Sequence, residues 1–303
     1  MTTETIALPE DYGWSLAETS RWQSLLRVAK KNPLGVVGFT LVLGFVLLGA
    51  LGPFFAPHSP TAPNIGMGAQ LAGPSLEHPF GTDSLGRDML SRVMSGARLS
   101  LLLGLAAVGL GVGIGATLGV ISGYFGGFID SVIQRTGEMG AAFPTLVLDL
   151  MLIAVLGQSL RTLIIAIAIF SFIGGSRVLR ALTIVVKTST FVEASRAMGA
   201  GEIRILIRHV FPNVIPIIIV IATGAWGGAV LAEAALSFLG IGVEPGTPSW
   251  GIDLSGENLR LAANGRWHLI VFPGAALSIV VLGFNLLGDT LRDVLDPRLR
   301  GSI

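Results

Sequence analysis

The chain has 303 residues, 51% hydrophobic and only 13% charged, with 41 glycines and a mean hydropathy of +0.74. That balance excludes an ordinary water-soluble domain and sets an all-α polytopic membrane protein as the expected class. The absence of cysteine excludes disulfides and thiolate metal sites, and a net charge of +1 gives no sign of a nucleic-acid partner.

Crossing a hydrocarbon core of about 30 Å takes about 20 mostly apolar residues. Six stretches qualify, at about 34–55, 99–121, 138–157, 162–181, 213–239 and 269–288. The first follows Arg21, Arg27, Lys30 and Lys31, but its apolar run is too long and starts too far in for a secretory signal, so a retained span is expected. Upstream, Trp22, Leu25, Leu26 and Ala29 share one helical face, which suits either a helix on the inner leaflet or a plain tail. Six spans put both termini on one side. Lys and Arg number 14 on that side and 5 on the other, with Arg98 at a span edge, so the positive-inside bias places both termini and the 177–212 loop in the cytoplasm.

The expected division is a cytoplasmic segment 1–33, a first span 34–55 and an outer loop 56–97. A five-helix core 98–289 follows, with a cytoplasmic loop at about 183–212 and an outer loop 241–268, and then a tail 290–303. Both outer loops are rich in Gly and Pro and should fold as turns against the outer face. In "FGTDSLGRDMLSR", Asp83 or Ser84 could cap a short interfacial helix with Met89, Leu90 and Val93 on one face. Trp250 and Trp267 suit headgroup anchors or packed aromatics. The four histidines, His58, His78, His209 and His268, never stand at i, i+3 or i, i+4, so local sequence suggests no metal site.

In the second span Gly111, Gly115 and Gly119 recur every four residues, joined by Gly104 and Gly113, a pattern read as close helix packing. Pro144 should bend the third span. Asp149 in that span and Glu233 in the fifth are ionisable groups that cost about 2.5 to 3.5 kcal/mol in a bilayer centre, so each needs a partner or a wet surface. Each is a candidate for the translocation path, with a helix-to-helix hydrogen bond as the alternative.

Between the fourth and fifth spans stands "FVEASRAMGAGEIRILIRHVFPN". Thr190 and Glu193 form a capping-box pattern, Gly199 suits a left-handed helix end, and a second short helix should run from about Glu202 to His209 and stop before Pro212. Glu193, Ala194, Ser195, Arg196, Ala197, Met198 and Gly199 together offer small, apolar and charged groups to a docking partner. A short helix held between two spans is a lever, since whatever grips it moves those spans.

"EASRAMGAGEIRILIRHVFP" resembles the EAA loop of bacterial ABC-importer permeases at Glu193, Ala194, Gly199 and Pro212, with Ser195 in place of the second Ala and His209 where the pattern has Ile. "HPFGTDSLGRDMLSRVMSGARLSLLLG", "GYFGG", "LAEAALSFLGIGVEPGTPSWG" and "FNLLGDTLRDVLDPR" resemble the second permease subunit of the dipeptide, oligopeptide and nickel branch, over nearly the whole chain after about residue 20. The resemblance implies a type I importer fold in a bacterial inner membrane and residues 193–199 as a coupling helix. It also implies a second homologous permease as partner, with the Gly-rich faces pairing the two, together with two ABC ATPase subunits that bind ATP and Mg and an extracytoplasmic substrate-binding protein. No cofactor is expected in this chain, which carries no G-x-x-x-x-G-K-[ST] loop. Substrates implied are di- or oligopeptides, then nickel or its chelates, then solutes such as glutathione. An ATP-independent secondary transporter is the competing class. An intramembrane aspartyl enzyme using Asp149 and Asp289 lacks the Gly-x-Gly-Asp pattern at "LLGD".

Overall fold

The structure is a computed structural model and describes residues 29–63 and 69–295. The chain divides into an N-terminal unit, Met1–Pro33, and a unit from Leu34 to Ile303 that carries the spans. The expected inner-leaflet helix through Trp22, Leu25 and Leu26 lies outside the described residues.

Five helices are long and apolar enough to cross a membrane, or six if one bent pair counts as a single span. In chain order the helices are α1 (Pro33–Phe55), α2 (Met89–Phe125), α3 (Gly127–Ala141), α4 (Thr145–Leu156), α5 (Leu160–Lys187), α6 (Thr190–Ala197), α7 (Glu202–Ile205), α8 (Phe211–Phe238), α9 (Trp250–Asp253), α10 (Gly256–Ala263) and α11 (His268–Leu295). The described residues contain no strand beyond a single bridge between Thr82 and Asp88.

The glycine repeat explains the centre of the bundle. A Cβ on Gly115 would stand 2.8 Å from the Phe172 carbonyl oxygen, on Gly119 2.5 Å from that of Ser176, and on Gly123 2.6 Å from that of Arg180. Each four-residue step on α2 meets a four-residue step on α5, so the two backbones touch along several turns. Lipid gives helices no hydrophobic reason to associate, and such close van der Waals approach supplies the attraction instead. The packing reading of this repeat therefore holds. Its use as a pairing face for another permease does not, because α5 of the same chain covers it.

Around this seam, Leu103, Val108, Val112, Ile153, Leu163, Ile167, Ala229 and Leu236 form one core. Phe45 of α1 packs with Ala97, Val230, Trp250, Val280 and Phe284 in another. The outer sides of the helices expose Phe39, Leu43, Leu105, Leu110, Ile114 and Val155, as a lipid-facing surface requires.

Three expectations need correction. The third apolar stretch is not one continuous kinked helix but a pair of helices, α3 and α4, meeting at 88°. Pro144 has no N–H to give and excludes its predecessor from helical backbone, so the helix stops and restarts. Neither Asp83 nor Ser84 caps a separate interfacial helix. α2 begins at Met89, capped by Asp88, whose carboxylate accepts from the Ser91 N–H, and it continues unbroken to Phe125. Asp83 instead accepts from the Leu85 and Arg87 N–H groups at 2.9 and 2.8 Å, closing a turn. Finally, the second short helix expected over about Glu202 to His209 does not stop before Pro212. A π turn over Leu206–Val210 joins α7 to α8, with the Phe211 N–H bonded to the Leu206 carbonyl, and its wider winding absorbs the proline.

Trp250 proves to be a packed aromatic, buried with its indole N–H donating to the Val93 carbonyl at 3.0 Å, whereas Trp267 is half exposed. At 37 residues α2 is about 55 Å long, well beyond the hydrocarbon thickness, so its two ends stand at opposite faces of the bundle.

Candidate functional site

At the C-terminal end of α2 the loop between α5 and α8 folds into a hairpin of α6 and α7. Ser189 is the N-cap of α6, but its hydroxyl donates to the Val186 carbonyl at 2.6 Å, so the expected capping box of Thr190 and Glu193 does not form. Glu193 faces solvent in the first turn, where a negative charge suits the helix dipole. The other end follows the sequence reading. Gly199 adopts φ +83°, its N–H bonds the Arg196 carbonyl and the Ala200 N–H bonds that of Ser195, a Schellman ending that reverses the chain within two residues.

The hairpin has two faces. Val192 and Ser195 point inward, Val192 into a core with Ala116, Val120, Tyr124, Leu179, Ile205, Val210 and Val214. Ser195 is thus not part of the outer surface: it is buried, and its hydroxyl donates to the Phe191 carbonyl at 2.8 Å. Outward stand Phe191, Glu193, Ala194, Ala197, Met198 and Gly199, with Met198 81% exposed.

Arg196, expected to meet a partner, is engaged within the chain. Its guanidinium donates to both Glu202 oxygens at 2.9 and 3.1 Å, bridging α6 to α7, and the hydrogen bonds and charge of Glu202 raise its pKa above the ordinary arginine value. The Tyr124 hydroxyl donates to the same carboxylate, and Lys187 donates to the Tyr124 carbonyl at 2.5 Å. One polar cluster therefore joins the hairpin to the ends of α2 and α5, while the apolar core around Val192 adds Val214 of α8. A second joins α3 to α5, where Arg180 donates to both oxygens of Asp130 at 2.5 and 2.6 Å. Periodicity flags none of Tyr124, Lys187, Asp130 or Glu202. The sequence marked Glu202 only as the expected start of the second short helix.

Asp149 and Glu233 are not brought together. Asp149 lines a cavity of about 450 Å³ bounded by α4, α5 and α8, whose walls include Thr145, Ser171, Gly174, Gly175, Gly224 and Gly228. Its carboxylate is buried, and neither oxygen has a hydrogen-bond partner among the described residues. Four glycines midway along α5 and α8 keep this space open, with the Asp149 carboxylate at its edge. Glu233 is fully buried elsewhere, accepting from the Ser237 and Ser249 hydroxyls at 2.8 and 2.7 Å. That is the hydrogen-bonding alternative: it ties α8 to the N-cap of α9 and does not line the cavity.

The 241–267 loop is anchored a second time. Arg92 near the start of α2 donates to Asp253 at 2.8 and 2.6 Å, with both side chains 0–1% exposed.

Residues 115–301 match the family described as "Binding-protein-dependent transport system inner membrane component", and residues 20–74 match the N-terminal transmembrane domain of oligopeptide transport permease C. Over 76% of this chain, the sequence is 48% identical to the glutathione transport system permease protein GsiD of Shigella flexneri serotype 5b, covering 75% of that protein. The Escherichia coli O6:K15:H31 protein of the same description is 45% identical over the same shares. The dipeptide transport system permease protein DppC of Alkalihalophilus pseudofirmus is 39% identical over 96% of this chain and 94% of its own length.

Proposed function

Because the chain belongs to the family of binding-protein-dependent transport system inner membrane components, we propose that it is one of two permease halves of an ATP-driven importer of short peptides in a bacterial inner membrane. The named substrates of its relatives, a dipeptide and glutathione, are both short peptides with free charged ends. The distribution of Lys and Arg supports an orientation with both termini and the α6–α7 hairpin in the cytoplasm. There the hairpin docks on an ABC ATPase that binds ATP and Mg. A second homologous permease, a second ATPase and an extracytoplasmic binding protein complete the machine.

The observation that carries this reading is the two-faced hairpin. Glu193, Ala194, Ala197 and Met198 form an exposed docking surface, while Val192, Ser195 and the Arg196–Glu202–Tyr124 cluster clamp the same element to three long helices. A partner that pushes α6 moves the ends of α2, α5 and α8 with it. The solute path runs beside the Asp149 cavity, where the carboxylate attracts the ammonium end of a passing peptide.

Since the chain has no cysteine, a single Met198→Cys substitution gives a unique cross-linking site. The protein, reconstituted with its co-purifying subunits, should cross-link at this position to the nucleotide-hydrolysing subunit and take up labelled dipeptide or glutathione only with ATP. Uptake driven by an ion gradient without ATP would instead identify a secondary transporter.

A further inference from the structure

At the opposite end of α2 three metal-ligating side chains meet. We propose that His58, His78 and Asp88 form a binding site for one divalent transition-metal ion of the zinc class. His78 Nδ1 lies 2.9 Å and His58 Nδ1 4.0 Å from the same oxygen, Asp88 Oδ1. All three potential ligand atoms fall within 4.8 Å of one another. A tetrahedral ion with bonds of about 2.1 Å holds its ligands about 3.4 Å apart. Small rotations of the two imidazoles, whose rings are 4.7 Å apart, close that shell.

The site is built rather than accidental. The other Asp88 oxygen is occupied, accepting from the Ser91 N–H at 2.8 Å and the Ser91 hydroxyl at 2.7 Å, which aims Oδ1 at the histidines. The same Ser91 hydroxyl accepts from the His58 N–H at 3.1 Å, fixing the backbone of one ligand to the anchor of another. His78 is held by a turn in which its N–H donates to the Ser75 hydroxyl at 3.0 Å and its carbonyl accepts from Ser75 and Gly81, both at 2.9 Å. Exposure rises from 0% for the Asp88 side chain through 13% for His78 to 40% for His58, so the carboxylate is buried while the imidazoles face a cavity of 220 Å³ lined also by Ser59, Ala62, Pro63 and Gly86. Two imidazoles and one carboxylate favour zinc, copper or nickel over calcium or magnesium, with a fourth position left to water. The ion would clip the chain just beyond α1 to the first turn of α2.

The test uses the full-length chain without a polyhistidine tag, chelator-stripped in lipid nanodiscs and titrated with Zn²⁺ by calorimetry and with Co²⁺ by visible absorption. One Zn²⁺ should bind per chain at micromolar concentration or below, Co²⁺ should give the intense bands of a low-coordinate site, and Zn²⁺ should raise the thermal midpoint. His58→Ala should weaken binding at least tenfold without moving the metal-free midpoint, and His78→Ala should abolish binding. Absence of saturable binding, or equal binding by the His58→Ala/His78→Ala double variant, overturns the proposal. So does a midpoint that follows pH through these histidines but ignores Zn²⁺, which would mark a shared proton instead of an ion.

Discussion

Gly119 of α2 lies so close to Ser176 of α5 that a single added methyl group would stand 2.5 Å from the Ser176 carbonyl oxygen. Backbone, not a flexible side chain, occupies that space, so no rotamer change relieves the clash. Gly119→Leu should therefore lower the thermal midpoint in detergent sharply, at an overpacking cost of about 1 to 3 kcal/mol or more. Gly113→Ala, whose added carbon meets open space, should leave the midpoint unchanged.

Arg92 and Asp253 form a buried pair, and removing one member strands the other charge. Asp253→Ala should cost about 3 to 5 kcal/mol, whereas an apolar pair such as Arg92→Met with Asp253→Leu should recover most of that loss. Thermal melts of the two single variants and the double variant measure the coupling directly.

The φ of +83° at Gly199 is accessible to glycine and tolerable for asparagine, but closed to proline. Gly199→Pro should reach the membrane in normal amount yet lose ATP-dependent uptake, while Gly199→Asn should keep most of it. Wild-type uptake by the proline variant would show that the hairpin does not transmit force.

Arg196 and Glu202 are both substantially exposed, so their ion pair contributes little to global stability. Its effect should be on coupling. Arg196→Ala should leave the thermal midpoint nearly unchanged while lowering the ratio of transport to ATP hydrolysis several-fold, and the charge swap Arg196→Glu with Glu202→Arg should retain more of that ratio than Arg196→Glu alone.

Asp149 has no partner among the described residues, and an isolated carboxylate in a buried setting is destabilising. Asp149→Leu should raise the thermal midpoint and reduce peptide uptake. A variant that is more stable and equally active would remove Asp149 from the path.

Much of this was legible in one dimension. The apolar runs mark the five helices long enough to cross a membrane to within a few residues at most ends, though α2 begins about ten residues before the expected start. The four-residue glycine repeat announces the α2–α5 seam, and Gly199 the end of α6. Pro144 was visible too, but a proline cannot say whether a helix bends or breaks. The structure shows a break, with α3 and α4 meeting at 88° on either side of Pro144.

Hydrophobic length and glycine spacing act locally along each helix, so the amino-acid sequence alone determines the membrane class, the long apolar helices and the α2–α5 seam. Polar pairing has no such local rule. Arg92 finds Asp253, Tyr124 finds Glu202, and His58 and His78 converge on Asp88 only once the helices have packed. Tertiary structure also turned Ser195 inward, removed Glu233 from the cavity and left Asp149 beside it. A charge taken out of water is satisfied by whichever group the fold carries within about 3 Å, and that choice is made in space rather than along the chain.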